Sequence, residues 1–346
     1  MMWLTWRQFR AQSIAAAAAL AATAIALGLA GAHLAHLYAT SGVAACHASH
    51  DCATATVNFT NLLNAGFANH LPLLFGTALI AIPAIIGIFW GAPLVSRELE
   101  TGTYRLVWNQ SVSRTRWLAT KLGLVGLASM AAAGLFSLLV TWSASRIDAV
   151  NLNWLQPAVF SERGIVPIGY AAFAFALAVT AGVLSRRTLP AMAVTLVVFT
   201  AVQFGMRALR AHLIAPLHAI VPIQGMNGMT LSTGPAGTGS LTLYPAAGNI
   251  PGAWIYSSQV VNSAGHVVQR LPLAAGGSLS PNSCAGPNGA ASSCLAGLAQ
   301  HGYRQLVTYQ PASRFWVFQW YETAIFVALA CALAGLCFWW IRQRLS

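Results

Sequence analysis

The sequence carries very little charge. Only 7% of its 346 residues are Asp, Glu, Lys or Arg, whereas a soluble domain typically carries about 25%. Its single lysine is Lys121, which follows Thr120. A Walker A loop, which ends in Gly-Lys-Ser/Thr, is therefore excluded. With 57% hydrophobic residues, the composition indicates an integral membrane protein.

Several chemical motifs are also absent. The net charge of +12 comes without a long basic run or a nucleic-acid motif, and arginines beside apolar segments are explained by membrane orientation. No Asp or Glu falls within the hydrophobic core of a predicted span, which disfavours a proton- or sodium-coupled carrier. Nothing resembles a G-x-S-x-G nucleophile elbow, so no active site is predicted.

Histidine suggests metal binding at two places, without completing a site. His33 and His36 are one helical turn apart, and residues 47–52 read HASHDC. No four-ligand zinc pattern is present. We therefore predict no metal site and expect ordinary polar loop residues beside a disulfide.

Six apolar segments are long enough to cross a bilayer. The predicted fold class is an all-α membrane protein, with spans over about 14–37, 71–95, 122–145, 165–184, 189–206 and 321–341. Residues 1–13 are expected to form an interfacial amphipathic helix before the first span. Residues 14–206 hold five spans and a charged loop over 96–121. Residues 207–320 form a long insertion, and residues 321–346 hold the sixth span and a tail.

Basic residues orient these spans. Eleven of the 18 lysines and arginines fall in the two termini, the charged loop and the turn at 186–187, which predicts cytoplasmic N and C termini. All nine histidines then lie outside. So do two cysteine pairs, Cys46 with Cys52 and Cys284 with Cys294, where disulfides could form.

The insertion between spans 5 and 6 is expected to be extracellular and mixed in structure. Residues 207–220 are predicted to form an amphipathic surface helix, and residues 254–273 a β-hairpin around an Asn-Ser-Ala-Gly turn. Glu322 begins span 6 near Arg314. An acid in a first helical turn suits the helix dipole, so we expect Glu322 to be a cap. Pairing or substrate binding are the alternatives.

Charge is concentrated in residues 90–121, which hold Lys121 and two of the six acids, Glu98 and Glu100. This pattern indicates a cytoplasmic face and a docking surface for a soluble partner. The alternative is a positively charged loop with no further role.

The segment RELETGTYRLVWNQSVSRTRWLATKLG, preceded by FWGAPLVS, resembles the loop between the second and third spans of type-2 ATP-binding-cassette (ABC) exporter permeases. It is most similar to an actinobacterial group of these permeases. The opening TWRQFRAQ and the late HGYRQLVTYQPASRFWVFQWYETAIF are similar to that group as well. The resemblance covers essentially the whole chain and is weakest in residues 38–70 and 225–300.

This resemblance implies six helices per subunit and two permease subunits, identical or different, paired with two ABC ATPase subunits. It implies a coupling helix over about 106–112. Gly102 would let the helix before it break, and Trp108, within the coupling helix, would enter an apolar groove on the ATPase. The implied ATPase-coupling residues are Arg97, Glu98, Glu100, Gly102, Tyr104, Arg105, Trp108 and Arg114. The chain itself would bind no cofactor, since ATP and Mg belong to the partner subunit.

The resulting hypothesis is the permease subunit of an ATP-driven exporter in the plasma membrane, moving an amphipathic or hydrophobic, drug-like or lipid-like substrate outward. Candidate pathway residues are Phe75, Thr77, Phe89, Thr195, Phe199 and Gln203, for which plain packing is the alternative. The alternative function is a non-transporting membrane anchor or sensor with a ligand-binding ectodomain. A membrane enzyme is more distant, because no site is present.

Overall fold

The computed structural model describes residues 2–46, 52–66, 70–103, 113–151, 155–223, 230–233, 239–242, 250, 252–273, 279, 284 and 289–344. Its helices are α1 (Met2–Thr40), α2 (Ala53–Asn64), α3 (Leu71–Ile86), α4 (Ala92–Thr101), α5 (Arg114–Asn151), α6 (Pro157–Glu162), α7 (Val166–Ser185), α8 (Thr188–Leu213), α9 (Gly289–Gln300) and α10 (Phe315–Arg344). A π turn over Gly87–Gly91 joins α3 to α4.

Six helices are long and apolar enough to cross a membrane, which confirms the six predicted helices. We call them span 1 (Ser13–Thr40), span 2 (Leu71–Thr101), span 3 (Arg114–Val150), span 4 (Val166–Ser185), span 5 (Thr188–Leu213) and span 6 (Ala312–Gln343). Span 1 continues without a break from Met2. Residues 2–13 are helical, and no break separates them from span 1. Their interfacial position stays a prediction.

Span 4 is the centre of the helix bundle. Within its most apolar window 83% of the residues are buried, against at most 39% in any other span. Its sequence is rich in Gly, Ala, Ser and Thr, small residues that let neighbouring membrane helices pack closely. Spans 2, 3, 5 and 6 all pack against it.

Glycines bring the backbones of spans 2 and 4 together. A Cβ on Gly87 would lie 2.8 Å from the Ala174 carbonyl oxygen, and one on Gly91 would lie 2.9 Å from the Phe175 carbonyl oxygen. Small residues permit such close contacts between membrane helices. Both glycines belong to the π turn, in which the Ala92 amide donates to the Gly87 carbonyl.

The chain divides into two compact units. The helical unit contains Met1–Asn151, Gln156–Leu213 and Phe315–Ser346, and the second unit contains Leu152–Leu155 and Ile214–Arg314. The second unit holds strands β1 (Leu217–Val221), β2 (Thr230–Thr233), β3 (Gly239–Thr242), β4 (Trp254–Val261), β5 (Arg270–Leu273) and β6 (Arg304–Gln310). They form two antiparallel three-stranded sheets, in the orders β1-β6-β4 and β2-β3-β5.

The core of the second unit contains Leu241, Leu271 and Leu298, beside the disulfide between Cys284 and Cys294. In the helical unit Cys46 is disulfide-bonded to Cys52.

Two predictions for the insertion are wrong. Residues 207–213 continue span 5, and Leu217–Val221 forms a strand rather than part of a surface helix. The helix can continue because Arg210 finds a buried partner, described below. The predicted hairpin forms only its turn, where the Val268 amide donates to the Val260 carbonyl at 2.8 Å. The two predicted hairpin strands do not pair with each other as strands. β5 pairs with β3, and β4 pairs with β6, which is longer than β5.

Candidate functional site

Span 2 ends where the sequence predicts a break. Gly102 caps α4 in the left-handed conformation, with φ +73°, and nothing lies within 4 Å of a Cβ placed there. The next helix, α5, begins at Arg114. The proposed coupling helix over 106–112, which contains Trp108, lies outside the described residues, and so do Tyr104 and Arg105. We call the region formed by the end of span 2 at Thr101 and the starts of spans 3 and 5, at Arg114 and Thr188, the elbow end.

Glu98 ties span 2 to span 3. Its Oε1 lies 2.6 Å from the Nζ of Lys121. The same Nζ donates to the Leu94 carbonyl at 3.0 Å and lies 4.8 Å from the centre of the Trp117 ring. Lys121 is only 3% exposed, so the single lysine of the chain serves as a buried link between two helices.

Glu100 ties span 2 to span 5. Its Oε2 accepts hydrogen bonds from the Thr188 amide at 3.2 Å and from the Thr188 hydroxyl at 2.9 Å. Thr188 is the first residue of α8, whose first amides have no partner within the helix. The Ser96 hydroxyl lies 3.1 Å from the Thr188 hydroxyl. A carboxylate from one span thus caps the positive end of another.

The implied ATPase-coupling residues therefore divide into two groups. Glu98 and Glu100 bond to spans 3 and 5, whereas the Arg97 side chain is exposed at the end of span 2. Arg114, at the start of α5, is half-buried. Sequence reasoning missed Lys121 and Thr188 as their partners. Two features of the sequence could have indicated them: Lys121 is the only lysine, and Thr188 directly precedes the apolar run of span 5.

The candidate pathway residues of span 5 face the interior of the bundle. Thr195, Phe199 and Gln203 are at most 9% exposed. Phe199 stacks on Phe173 of span 4, with ring centres 6.2 Å apart. The Nε2 of Gln203 is buried without a hydrogen-bond partner. Phe199 therefore packs against span 4, and Thr195 lies beside Gly87 of span 2.

The candidate residues of span 2 lie elsewhere. Phe75 is half-buried, 6.2 Å from the Phe136 ring, and Thr77 is exposed. Phe89 is 57% exposed and lines an apolar groove of about 400 Å³ between spans 1, 2 and 3, together with Leu20 and Phe136. The structure therefore does not bring the span 2 and span 5 candidates into one cavity.

A polar cluster fills the other end of span 5. The guanidinium of Arg210 pairs with the carboxylate of Glu322, with Nε–Oε2 2.8 Å and Nη2–Oε1 2.9 Å. It also donates to the Ser161 hydroxyl at 3.2 Å and lies 4.2 Å above the Phe160 ring. The Tyr170 hydroxyl donates to Glu322. Arg210 is 1% exposed and Glu322 is fully buried. We call this region the polar-cluster end.

Gln319 extends this cluster to the start of span 4. Its Oε1 accepts from the Ile165 and Val166 amides, each at 3.0 Å, and its Nε2 donates to the Phe160 carbonyl at 3.1 Å. Gly164, with φ +68°, leaves room for it, since a Cβ there would lie 2.7 Å from the amide oxygen. Spans 4, 5 and 6 are thus joined by paired polar groups.

The prediction that Glu322 caps a helix is wrong. α10 begins at Phe315, so Glu322 lies two turns inside it and within span 6. Its partner is Arg210 rather than Arg314, which instead donates to the Ala215 carbonyl at 2.8 Å. The expectation that no acid lies within the hydrophobic core of a span fails here, since Glu322 is fully buried two turns inside α10. A partner 112 residues away leaves no local sequence pattern.

Glu162 is a second buried acid near this end, at the close of α6. It is 1% exposed, and its Oε1 has no hydrogen-bond partner. A Cβ on Gly76 of span 2 would collide with its carboxylate. Burial raises the pKa of Glu162 to about 7, opposed by the charge of Arg163 and assisted by that of Asp148. Asp148 and Arg163 form their own ion pair at 3.1 Å.

Among the residues that the structure describes, no group of three His, Cys, Asp or Glu side chains could hold a metal ion. Residues 47–51 of the HASHDC segment are outside that part of the chain.

Comparison with known proteins yields one match. A family model described as "ABC-2 membrane transporter related" matches residues 17–210, more than half of the chain. No curated protein and no solved structure matches. Permeases of the ABC-2 kind are membrane subunits without an ATPase site of their own, and they work with an ABC ATPase partner in a lipid bilayer. With its six apolar helices, this chain is a multi-pass membrane protein that belongs to the ABC-2 membrane transporter related family.

Proposed function

We propose that the chain is the permease subunit of an ATP-driven exporter in the plasma membrane, within the actinobacterial group that it resembles. It pairs with a second permease subunit, identical or different, and with ATPase subunits that bind ATP and Mg. The observation that carries this proposal is the elbow end. Span 2 stops at Gly102, directly before the segment that resembles a coupling helix, and its last acids are bonded to spans 3 and 5.

This arrangement can convert a push on the elbow into helix movement. A force applied between residues 103 and 113 acts on the ends of spans 2 and 3, which the Glu98–Lys121 pair joins. Span 4 provides a buried support at the centre. Domain and helix movements of this kind underlie switching between two states. No step of ATP hydrolysis falls on this chain.

The proposed orientation places both termini and the elbow end in the cytoplasm. Eleven of the 18 basic residues then lie inside, as the positive-inside rule requires. Both disulfides then lie outside, where an oxidising environment preserves them. The second unit, residues 214–314, becomes an extracellular insertion.

The proposed substrate is amphipathic or hydrophobic. The groove beside Phe89 supports this, because its lining from spans 1, 2 and 3 is apolar. Thr195, Phe199 and Gln203 would reach a pathway only when span 5 moves away from span 4.

A non-transporting anchor or sensor is the second candidate. The observation that favours it is the second unit, which has its own apolar core and a disulfide, as a ligand-binding ectodomain would.

The test is a pull-down of the full-length protein, solubilised from its own cells, beside an Arg97→Ala/Trp108→Ala variant. Glu98 and Glu100 stay unchanged because both bond to neighbouring helices. Arg304→Ala, at an exposed position of β6, is the matched control. We expect a P-loop ATPase with the wild type and the control, and less of it with the variant.

Equal recovery with all three proteins would keep the permease assignment and move the docking surface away from Arg97 and Trp108. Absence of an ATPase from every sample would contradict the proposal and favour the anchor or sensor.

A further inference from the structure

We propose that Glu100 is the positioning residue through which movement of the elbow reaches span 5. This inference rests on the proposed function and adds a route within the chain for the force of the ATPase. It follows from a contact between two helix ends that are 88 residues apart in the sequence.

The first argument is where Glu100 lies. It occupies the last turn of α4, two residues before Gly102, so any displacement of the elbow moves it directly. Its carboxylate binds both the amide and the hydroxyl of Thr188, the first residue of span 5. A hydrogen-bonded carboxylate at the start of a helix acts on the helix as a whole, because the following turns are stiffly linked by their own hydrogen bonds.

The second argument is the support beneath this contact. The Ser96 hydroxyl, one turn earlier in α4, donates to the Ala92 carbonyl at 2.6 Å and meets the Thr188 hydroxyl at 3.1 Å. Gly182 of span 4 lets Ser96 approach closely, because a Cβ added to Gly182 would lie 3.2 Å from the Ser96 Cβ. The hydrogens of these two hydroxyls go to Ala92 and Glu100, so Ser96 contacts Thr188 by packing and Glu100 supplies the hydrogen bonds.

The third argument is the contrast with Glu98. Glu98 reaches span 3 through Lys121, whose ammonium group is buried and bonded to a carbonyl as well. Glu100 is exposed, so water can replace its hydrogen bonds to Thr188 at little free-energy difference. Span 3 is thus fastened to span 2, while span 5 is held by a contact that can break and form again.

The experiment uses the permease with its co-purified ATPase in lipid nanodiscs. Nitroxide labels on Leu127→Cys of span 3 and Leu189→Cys of span 5, both exposed positions, report the distance between these helices with and without ATP and vanadate. The exposed Cys331 is replaced by Ala in every sample. Glu100→Ala removes both hydrogen bonds to Thr188, Thr188→Val removes only the one from the hydroxyl, Thr188→Ser retains a hydroxyl, and Thr101→Ala is a control in the same helical turn.

We expect a nucleotide-dependent change of the distance in the wild type, in Thr188→Ser and in Thr101→Ala. Glu100→Ala should still bind the ATPase in the wild-type ratio but lose the distance change, and Thr188→Val should bind the ATPase equally and show a smaller distance change. The double variant should behave like Glu100→Ala, because that change alone removes both hydrogen bonds. A purely structural role would not separate ATPase binding from helix movement.

A distance change of wild-type size in Glu100→Ala would overturn the inference and leave the proposed function intact. Loss of ATPase binding in Glu100→Ala would also overturn it, by placing this residue in the docking surface. If the wild type retains no ATPase, the proposed function fails and this inference fails with it.

Discussion

The two ends of the helix bundle hold their charges in different ways. At the elbow end the acids of span 2 lie at or near the surface, with Glu100 exposed and Glu98 half-buried. At the polar-cluster end Arg210 and Glu322 are enclosed, and each makes several hydrogen bonds to neighbouring helices. Removing one member of a buried ion pair leaves the other charge without a partner. Removing one member of an exposed pair costs less, because water solvates the remaining charge.

This difference indicates how the bundle would move. Spans 4, 5 and 6 are fastened together at the polar-cluster end, where breaking a contact is costly. At the elbow end the link from span 2 to span 5 can exchange with water. We therefore expect span 5 to move most near Thr188 and least near Arg210 during transport.

The largest expected effect comes from breaking the polar-cluster end. Arg210→Ala or Glu322→Ala should lower the free energy of unfolding by about 3–5 kcal/mol, because each leaves a buried charge without its partner. The Arg210→Met/Glu322→Leu double variant should recover most of that loss. Reversible unfolding of the purified protein in mixed micelles measures both. Equal losses in the single and double variants would contradict the assignment of a buried ion pair.

A smaller effect is expected at the link between spans 2 and 3. Lys121→Met removes charge-assisted hydrogen bonds to Glu98 and Leu94, which should lower the free energy of unfolding by about 1.5–3 kcal/mol. Lys121→Arg keeps the positive charge and serves as the control. If Lys121→Met were as damaging as Glu322→Ala, the two ends would not differ in the way proposed.

A third effect depends on pH and concerns Glu162. Because burial raises its pKa from 4.5 to about 7, the folded protein holds this proton more tightly than the unfolded chain. Stability from this residue is therefore full below pH 4.5 and falls as the pH rises through 7. Glu162→Gln should flatten the dependence of the thermal midpoint on pH between 5 and 8, while Gln156→Ala, at an exposed position without a titrating side chain, retains it. If the thermal midpoint of Glu162→Gln changed with pH as steeply as that of the wild type, Glu162 would not be the source of the pH dependence.

Hydropathy predicted the six helices well but their ends less well. Span 3 begins at Arg114 and ends at Val150, although the predicted segment was 122–145. The charged residues at its start remain helical because Lys121 finds Glu98. Span 5 likewise extends past Met206 because Arg210 finds Glu322. In both spans the predicted segment stopped at charged residues that the helix includes.

The candidate site was predictable only in outline. The charged loop and Gly102 were visible in the sequence, and Gly102 does end α4 in a left-handed conformation. Glu98 and Glu100 were predicted to act outward, yet the structure bonds both to neighbouring helices. Side chains two residues apart on a helix point in different directions, so their different partners depend on which helices lie on each side.

The sequence by itself determined the class of this protein and the absence of a Walker A loop. An apolar stretch of some twenty residues must span as a helix, because lipid satisfies no backbone polar group, and a chain whose only lysine follows Thr120 has no Gly-Lys-Ser/Thr ending. Only the tertiary structure decided that span 4 is central, that Arg210 meets Glu322 and that Glu100 caps span 5. In a bilayer, lipid and neighbouring helices are equally apolar, so hydrophobicity cannot distinguish a buried span from an exposed one.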